Sequence, residues 1–395
     1  MQLAVAVCAC TLPLAALSEV KLGFLGGFTG PVESVTPHIF ASAKLATEQV
    51  NQQGGLLDGE TLQLMQGDTA CAETEQAQAA AEQLLEDESV VAFVGALCSS
   101  ATLEAAKRVA IPRNVVMLTP ASTSPAVTAL EDNDLVFRSA PSDAYQGQVM
   151  ARLLQKKGIV RIAIAYAMDD YGVGFYAALS AAFTDLGGEV VSAVSIADTL
   201  PDYSSNIATL AEGGSNTLVV LADASRSGTT MLKQAVESGE FANFAVGDRM
   251  IDQGLIAAIG ANALQYLLAT NMVTPQRSEA LQFREFMRDA GQDPDRAFSA
   301  QSYDAAFLLA LAIEKNGSRN RSGVNAALRE VATAPGELIM PGEWRKAKTL
   351  IADGKDINYQ GAGSDHEFDS AGDVAGMAVQ MAVKRGEFVV ARPLF

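Results

Sequence analysis

The feature that most constrains this chain is an alternation of short apolar strands and helices, run through twice. The first round predicts strands at Val20–Leu25, Leu62–Met65, Val90–Val94, Val115–Leu118 and Val136–Ser139. Helical patterns at Ile39–Asn51, Glu73–Glu86 and Leu103–Val109 fall between them, and Tyr145–Lys156 follows with Gly158 as its stop. A second round runs through Arg161–Tyr166, Gly174–Leu186, Val190–Ile196, Tyr203–Glu212, Thr217–Leu221, Thr229–Ser238 and Phe244–Val246. Such alternation predicts α/β architecture with parallel sheets covered by helices on both faces. At 395 residues the chain is long for one core, so two domains are expected. No Pro/Gly/Ser-rich linker separates the two rounds, which predicts crossings by strands or short loops and a stiff hinge.

Two successive strands end in small hydroxyl residues. Val90–Val94 runs out into Cys98-Ser99-Ser100-Ala101-Thr102, and Val115–Leu118 into Thr119-Pro120-Ala121-Ser122-Thr123-Ser124-Pro125. In open α/β sheets ligands lie beyond the carboxyl ends of the strands, where helix N-termini present free N–H groups. Hydroxyls and amides without a neighbouring acid or base suit a small anion such as a carboxylate. The same residues also serve as helix caps and turns.

The formal charge of −18 argues against nucleic-acid or anionic-membrane partners, which need a basic face. Met1 to Leu17 holds no charge and reads as the apolar core of a signal peptide over residues 1–18, with Ala16-Leu17-Ser18 resembling a cleavage site. The first lysine is Lys21, so the usual basic leader is missing, as in a shortened precursor or a mis-set start. A lipid-bearing Cys8 or Cys10 is an alternative, although Val7 fits poorly before Cys8. Export leaves Cys71 and Cys98 as a pair, read as a disulfide that ties the Ser99 turn to the loop at Asp68. The apolar run Ala305–Ile313 is bracketed by Asp304 and Glu314 and is too short for a membrane span.

Catalytic signals are sparse. The two histidines, His38 and His366, are distant in sequence and read as surface residues; no metal or cofactor motif is present. Gly172-Val173-Gly174-Phe175-Tyr176-Ala177 fits a dinucleotide-binding fingerprint formally, with Glu189 downstream. Met168-Asp169-Asp170-Tyr171 intervene after the strand, and their carboxylates would repel a pyrophosphate. A loop into a helix N-terminus is the better reading of the segment, and a nucleotide-dependent oxidoreductase is the enzyme alternative.

With these segments in order, the chain resembles the leucine/isoleucine/valine-binding protein family, type I periplasmic solute-binding proteins of ABC importers. The resemblance rests on Gly30-Pro31-Val32, Asn51-Gln52-Gln53-Gly54-Gly55, Asp68 near Cys71, Leu97-Cys98-Ser99-Ser100, Thr119 to Pro125 and Asp170-Tyr171-Gly172. It implies two Rossmann-like lobes, residues 19–141 plus 271–373 and 142–270 plus 374–395. They would be joined by three crossovers, the second near Leu268–Asn271 and the third near Asp373–Met377. It further implies that Ser99, Ser100, Ala121, Ser122 and Thr123 hold the α-carboxylate of an amino acid. Asp248 would hold the ammonium, Tyr171 would close the wall, and Tyr303 is a weaker contact. A monomeric, exported receptor without cofactor, delivering a branched-chain amino acid to a membrane permease, is the implied function. Val35 and Ala224 stand where the family usually has aromatic residues. Arg226 and Arg249, beside them, could neutralise Asp248 or hold a second carboxylate, or simply face solvent. A carboxylate without an amine, such as an aromatic acid, or a small amide therefore remains an alternative ligand.

Overall fold

The computed structural model describes residues 19–71, 74–198, 200–272 and 278–394. The expected signal peptide, with Cys8 and Cys10, lies outside them. The first sheet is built from β1 (Glu19–Gly26), α1 (Thr36–Gln52), β2 (Thr61–Asp68), α2 (Thr74–Leu84), β3 (Val90–Gly95), α3 (Ser99–Ala105), β4 (Val116–Thr119), α4 (Pro125–Thr128) and β5 (Val136–Arg138). Its five strands are parallel in the order β2-β1-β3-β4-β5. β3 has neighbours on both edges and helices on both faces, so all six of its residues are buried. That is why its sequence is apolar without alternation.

The second sheet follows from α5 (Asp143–Lys156), β6 (Arg161–Ala167), α6 (Asp170–Asp185), β7 (Glu189–Ile196), α7 (Ser204–Glu212), β8 (Thr217–Leu221), α8 (Thr229–Ser238), β9 (Asn243–Val246), α9 (Gln253–Ile259) and β10 (Leu268–Met272). The chain then returns to the first lobe with α10 (Ser278–Asp289), α11 (Ser299–Asn316), α12 (Val324–Ala332), β11 (Glu337–Ile339), α13 (Trp344–Ala352) and β12 (Ile357–Tyr359). It ends as a hairpin, β13 (Ala378–Lys384) and β14 (Glu387–Leu394), added antiparallel to the edge at β10. The seven strands lie in the order β14-β13-β10-β9-β8-β6-β7.

Both parallel sheets share one winding. In each, the chain order reverses beside the first strand, between β1 and β3 and between β6 and β8, and this opens a crevice beyond the strand ends. α11 is buried from Ser299 to Ile313 and packs among α1, α12 and the sheet, which explains an apolar run with no polar face. Among the described residues no helix is long and apolar enough to cross a membrane.

The hinge segments are pinned by one buried ion pair. Arg138, wholly buried at the end of β5, donates from Nε to Asp373 Oδ1 at 2.7 Å and from Nη2 to Oδ2 at 2.5 Å. Its Nη1 reaches the Ser124 carbonyl at 2.9 Å, and its backbone N–H reaches Gly372 at 2.9 Å. The first and last passages between lobes are thus tied together.

Two expectations are corrected here. His366 is buried: its Nε2 lies 2.9 Å from Asp304 Oδ2, and the same carboxylate accepts from Tyr359 and from the backbone of Ala362 and Gly363. Irregular loop sequence carries no periodicity from which that burial could be read. The Ser364–His366–Asp304 chain resembles a catalytic triad in composition, yet it is sealed in the first lobe and pins the returning loop to α11. The second correction concerns Gly172, which lies in the first turn of α6 rather than in the loop before it, while Gly174 lies in that helix as expected. A Cβ on Gly172 would sit 2.3 Å from the Ala167 carbonyl oxygen, so that glycine serves close packing.

Candidate ligand-binding cleft

The carboxyl ends of both sheets face one cleft, and the lobes touch across it. The Asp170 N–H donates to Ser100 Oγ at 3.4 Å, and Ser225 Oγ donates to the Pro31 carbonyl at 3.0 Å. Gly174 of α6 lies against Ser124 and Pro125 of the first lobe.

On the first-lobe side, the Cys71–Cys98 disulfide fixes the turn after β3 against the loop after β2. That loop is organised by Asp68, which accepts from the backbone of Phe28, Thr29 and Ala70 and from the Thr29 hydroxyl. Burial works against its charge, but the Thr29 hydroxyl and the backbone donors prevail and hold it below the ordinary aspartate value. Several hydroxyls in the two tips satisfy one another. The Ala96 carbonyl accepts from Thr119 at 2.5 Å and from Thr102 and Ser122 at 3.1 Å, and Thr119 Oγ1 in turn accepts from the Ser122 and Ala121 N–H groups. Ser122 and Ala121 thereby shape the turn with groups expected to face a ligand. Ser100 is engaged across the cleft. Ser99 Oγ accepts from the Ser124 N–H at 3.3 Å, which leaves its own proton to donate. Thr123 Oγ1 is buried beside the Asp143 carboxylate, with no well-formed hydrogen bond among the described residues.

On the second-lobe side, Tyr171 occupies the first turn of α6, whose N-cap Asp169 accepts from the Gly172 N–H at 2.8 Å. Its hydroxyl donates to Asp248 Oδ1 at 2.9 Å. Gly247 makes this approach feasible, since a Cβ there would lie 2.9 Å from the Tyr171 oxygen and 2.6 Å from Phe175. The Arg249 guanidinium stacks 3.9 Å from the Tyr171 ring centre. Burial raises the Asp248 carboxyl above its ordinary value, with Arg249 and the Tyr171 hydrogen bond opposing. Arg226 is committed to Asp198 at 2.8 Å, with Asp169 at 3.8 Å. Val35 and Ala224 are half-buried on the two loops that meet through Ser225 and Pro31 at the mouth.

Tyr303 does not join this group. It is buried in the first lobe between Phe283 and Phe307, and its hydroxyl donates to Gln49 of α1. A helix that is apolar all round conceals which way any one residue points. Conversely, no sequence signal singles out Asp143, which is wholly buried within electrostatic reach of Asp248, Arg249 and Arg138. It opens α5 behind the N-cap Ser142, where an acid reads as an ordinary first-turn residue.

Among the described residues no cluster of His, Cys, Asp or Glu could hold a metal ion. Two lobes of one winding, clasped over a cleft with hydroxyl tips on one side and a tyrosine-bound acid on the other, define a clamshell ligand-binding protein. The chain belongs to the periplasmic binding protein family, whose sequence model matches residues 19–353. It is 29% identical over 319 residues to the leucine-, isoleucine-, valine-, threonine-, and alanine-binding protein of Pseudomonas aeruginosa, covering 80% of this chain and 83% of that one. A leucine-binding protein, LivK, from Thermotoga maritima superposes with a TM-score of 0.78 at 25% identity, covering 95% of this chain and 98% of that one. A solute-binding protein from R. palustris in complex with benzoate shares the fold, with a TM-score of 0.74 at 18% identity and coverage of 96% and 98%.

Proposed function

We propose that the protein is the substrate-binding component of an ABC importer and that it captures a small amino acid, most simply a branched-chain one, for delivery to a membrane permease. It acts as a monomer exported to the periplasm, and it is a receptor, not an enzyme. The carrying observation is Asp248, held by Tyr171 across the cleft from Ser99 and Thr123. This is an acidic pole opposite donor groups, the arrangement a zwitterion requires. Charge-assisted bonds to fixed donors at both poles disfavour molecules lacking either charge. Because each lobe supplies one pole, the ligand stabilises the closed state more than the open one. The substrates named for the Pseudomonas and Thermotoga relatives support this reading.

The second reading is a carboxylate without an amine, supported by the benzoate complex of a relative with this fold and by the small side chains of Val35 and Ala224, which leave a wider or differently shaped pocket. Arg226 and Arg249 add little to it, since acids and a tyrosine already engage both. Thermal unfolding with leucine, isoleucine, valine, isocaproate and benzoate separates the two. A saturating ligand at a hundred times its Kd adds about 2.7 kcal/mol of apparent stability. The amino acids are expected to raise the unfolding temperature of wild type and to lose most of that effect in Asp248→Asn. A shift with benzoate or isocaproate alone would overturn the amino-acid reading.

A further inference from the structure

Arg249 lies just beyond the end of β9, at the carboxyl edge of the second sheet, where ligands of open α/β sheets sit. Asp248, Arg249 and Met250 form one tight 3-10 turn, so their side chains point about 120° apart. Met250 fills the core of the second lobe, and Asp248 accepts from the Tyr171 hydroxyl. Arg249 takes the remaining direction, over the Tyr171 ring that forms the cleft wall. It is half-buried there, and among the described residues no hydrogen bond or ion pair holds its guanidinium. Arg138 at the hinge and Arg226 on the next loop are each bonded to a carboxylate, at 2.5 and 2.8 Å.

A guanidinium carries its five N–H bonds in its own plane, so contact with a ring through its face leaves them available. Burial works against the Arg249 charge, but the fields of Asp169, Tyr171, Asp223 and Asp248 prevail and keep it protonated. Donors covered without an acceptor are destabilising, so a ligand that contacts this edge gains most by supplying oxygens. In the amino-acid reading, the α-carboxylate goes to the hydroxyl tips and the ammonium to Asp248. The acceptor for Arg249 therefore belongs to the ligand's side chain. A carboxylate there offers two oxygens in the plane that the guanidinium fork engages. The small side chains of Val35 and Ala224 at the mouth leave room for it.

We propose that Arg249 is a specificity residue that receives an anionic side chain, so that the cleft takes acidic amino acids, glutamate first, beside the branched-chain ones. This rests on the amino-acid reading above and extends its ligand class.

The test is calorimetric titration of wild type, Arg249→Met and Arg249→Lys with leucine, glutamate and glutamine, together with thermal unfolding of each free protein. Wild type is expected to bind leucine and glutamate, and to bind glutamine about tenfold more weakly than glutamate, since the amide lacks the charge. R249M is expected to lose about thirtyfold or more in glutamate affinity while leucine stays within about twofold. R249K keeps the charge without the fork and should fall between the two on glutamate, which holds the test open if R249M folds poorly. Wild type binding leucine but not glutamate would overturn the proposal and leave the amino-acid reading intact. Glutamate affinity in R249M within about twofold of wild type would do the same. A parallel loss of leucine and glutamate in both folded variants would make Arg249 a support of the Tyr171 wall, which also overturns it. Wild type binding no amino acid would overturn both readings.

Discussion

Replacing Asp373 with alanine strands a buried cation. Arg138 has no exposed surface, and it spends Nε and Nη2 on the two Asp373 oxygens at 2.7 and 2.5 Å. The variant leaves only the Ser124 carbonyl and the Thr128 hydroxyl on the guanidinium. Thr128 also loses the acceptor to which its own hydroxyl donates at 2.8 Å. Removing one partner of such a pair costs about 3–5 kcal/mol, mostly because the remaining charge stays desolvated. Trp344 is the chain's only tryptophan and lies buried in the first lobe, its indole donating to the Gly55 carbonyl at 3.1 Å, so its fluorescence reports that lobe. With a urea slope of about 2–3 kcal/mol/M, the midpoint should fall by roughly 1–2 M. High salt should barely alter the difference, because the pair is shielded from solvent. R138M/D373A should lose less than the two single variants summed, since the second removal no longer strands a charge. A D373A midpoint within about 0.3 M of wild type, or a loss abolished by salt, would refute the idea that this pair holds the hinge.

Three further outcomes follow from the cleft. In Gly174→Ala the new Cβ would lie 2.7 Å from Ser124 Oγ and 2.8 Å from Pro125 Cδ, a clash between the two lobes. Ligand affinity should fall while the unfolding temperature holds or rises, because alanine favours the helix by about 1 kcal/mol; a parallel loss of both would contradict this. C71S/C98S removes a link across a sequence separation of 27 and should cost about 3.5 kcal/mol on the chain-entropy estimate, read from urea unfolding under non-reducing conditions. For Asp68, whose folded carboxyl titrates below its unfolded value, the stabilisation is full above the ordinary aspartate range and is lost as pH falls through the folded value. Wild type and D68N should therefore differ in urea midpoint at neutral pH and converge in strong acid.

Much of the cleft could be read along the chain because strand periodicity locates its own ends. The tips at Ser99 and Thr123 follow fully buried strands, and Asp248 follows β9 after a single glycine. What escaped was direction. Tyr303 lies in the second turn of a helix buried on every side, so its position alone does not show which neighbour it meets. The helical pattern starts at Tyr145 and the helix itself at Asp143, so the acid reads as part of a turn. The hydroxyls of Ser122 and Ser99 look alike in sequence. One is spent on the Ala96 carbonyl, while the other keeps a proton to give.

Local pattern along the chain suffices for the alternation, and with it two helix-covered parallel sheets, the first with hydroxyl-tipped strands. Local periodicity and chain length carry that much, because burial on both faces dictates the residue types of each strand. Which polar groups remain for a ligand is set by the folded arrangement. Hydrogen bonds and charges act over a few ångströms between residues far apart in the chain. Whether Thr123, Asp143 and Asp248 are spent or free therefore depends on neighbours that folding brings to them.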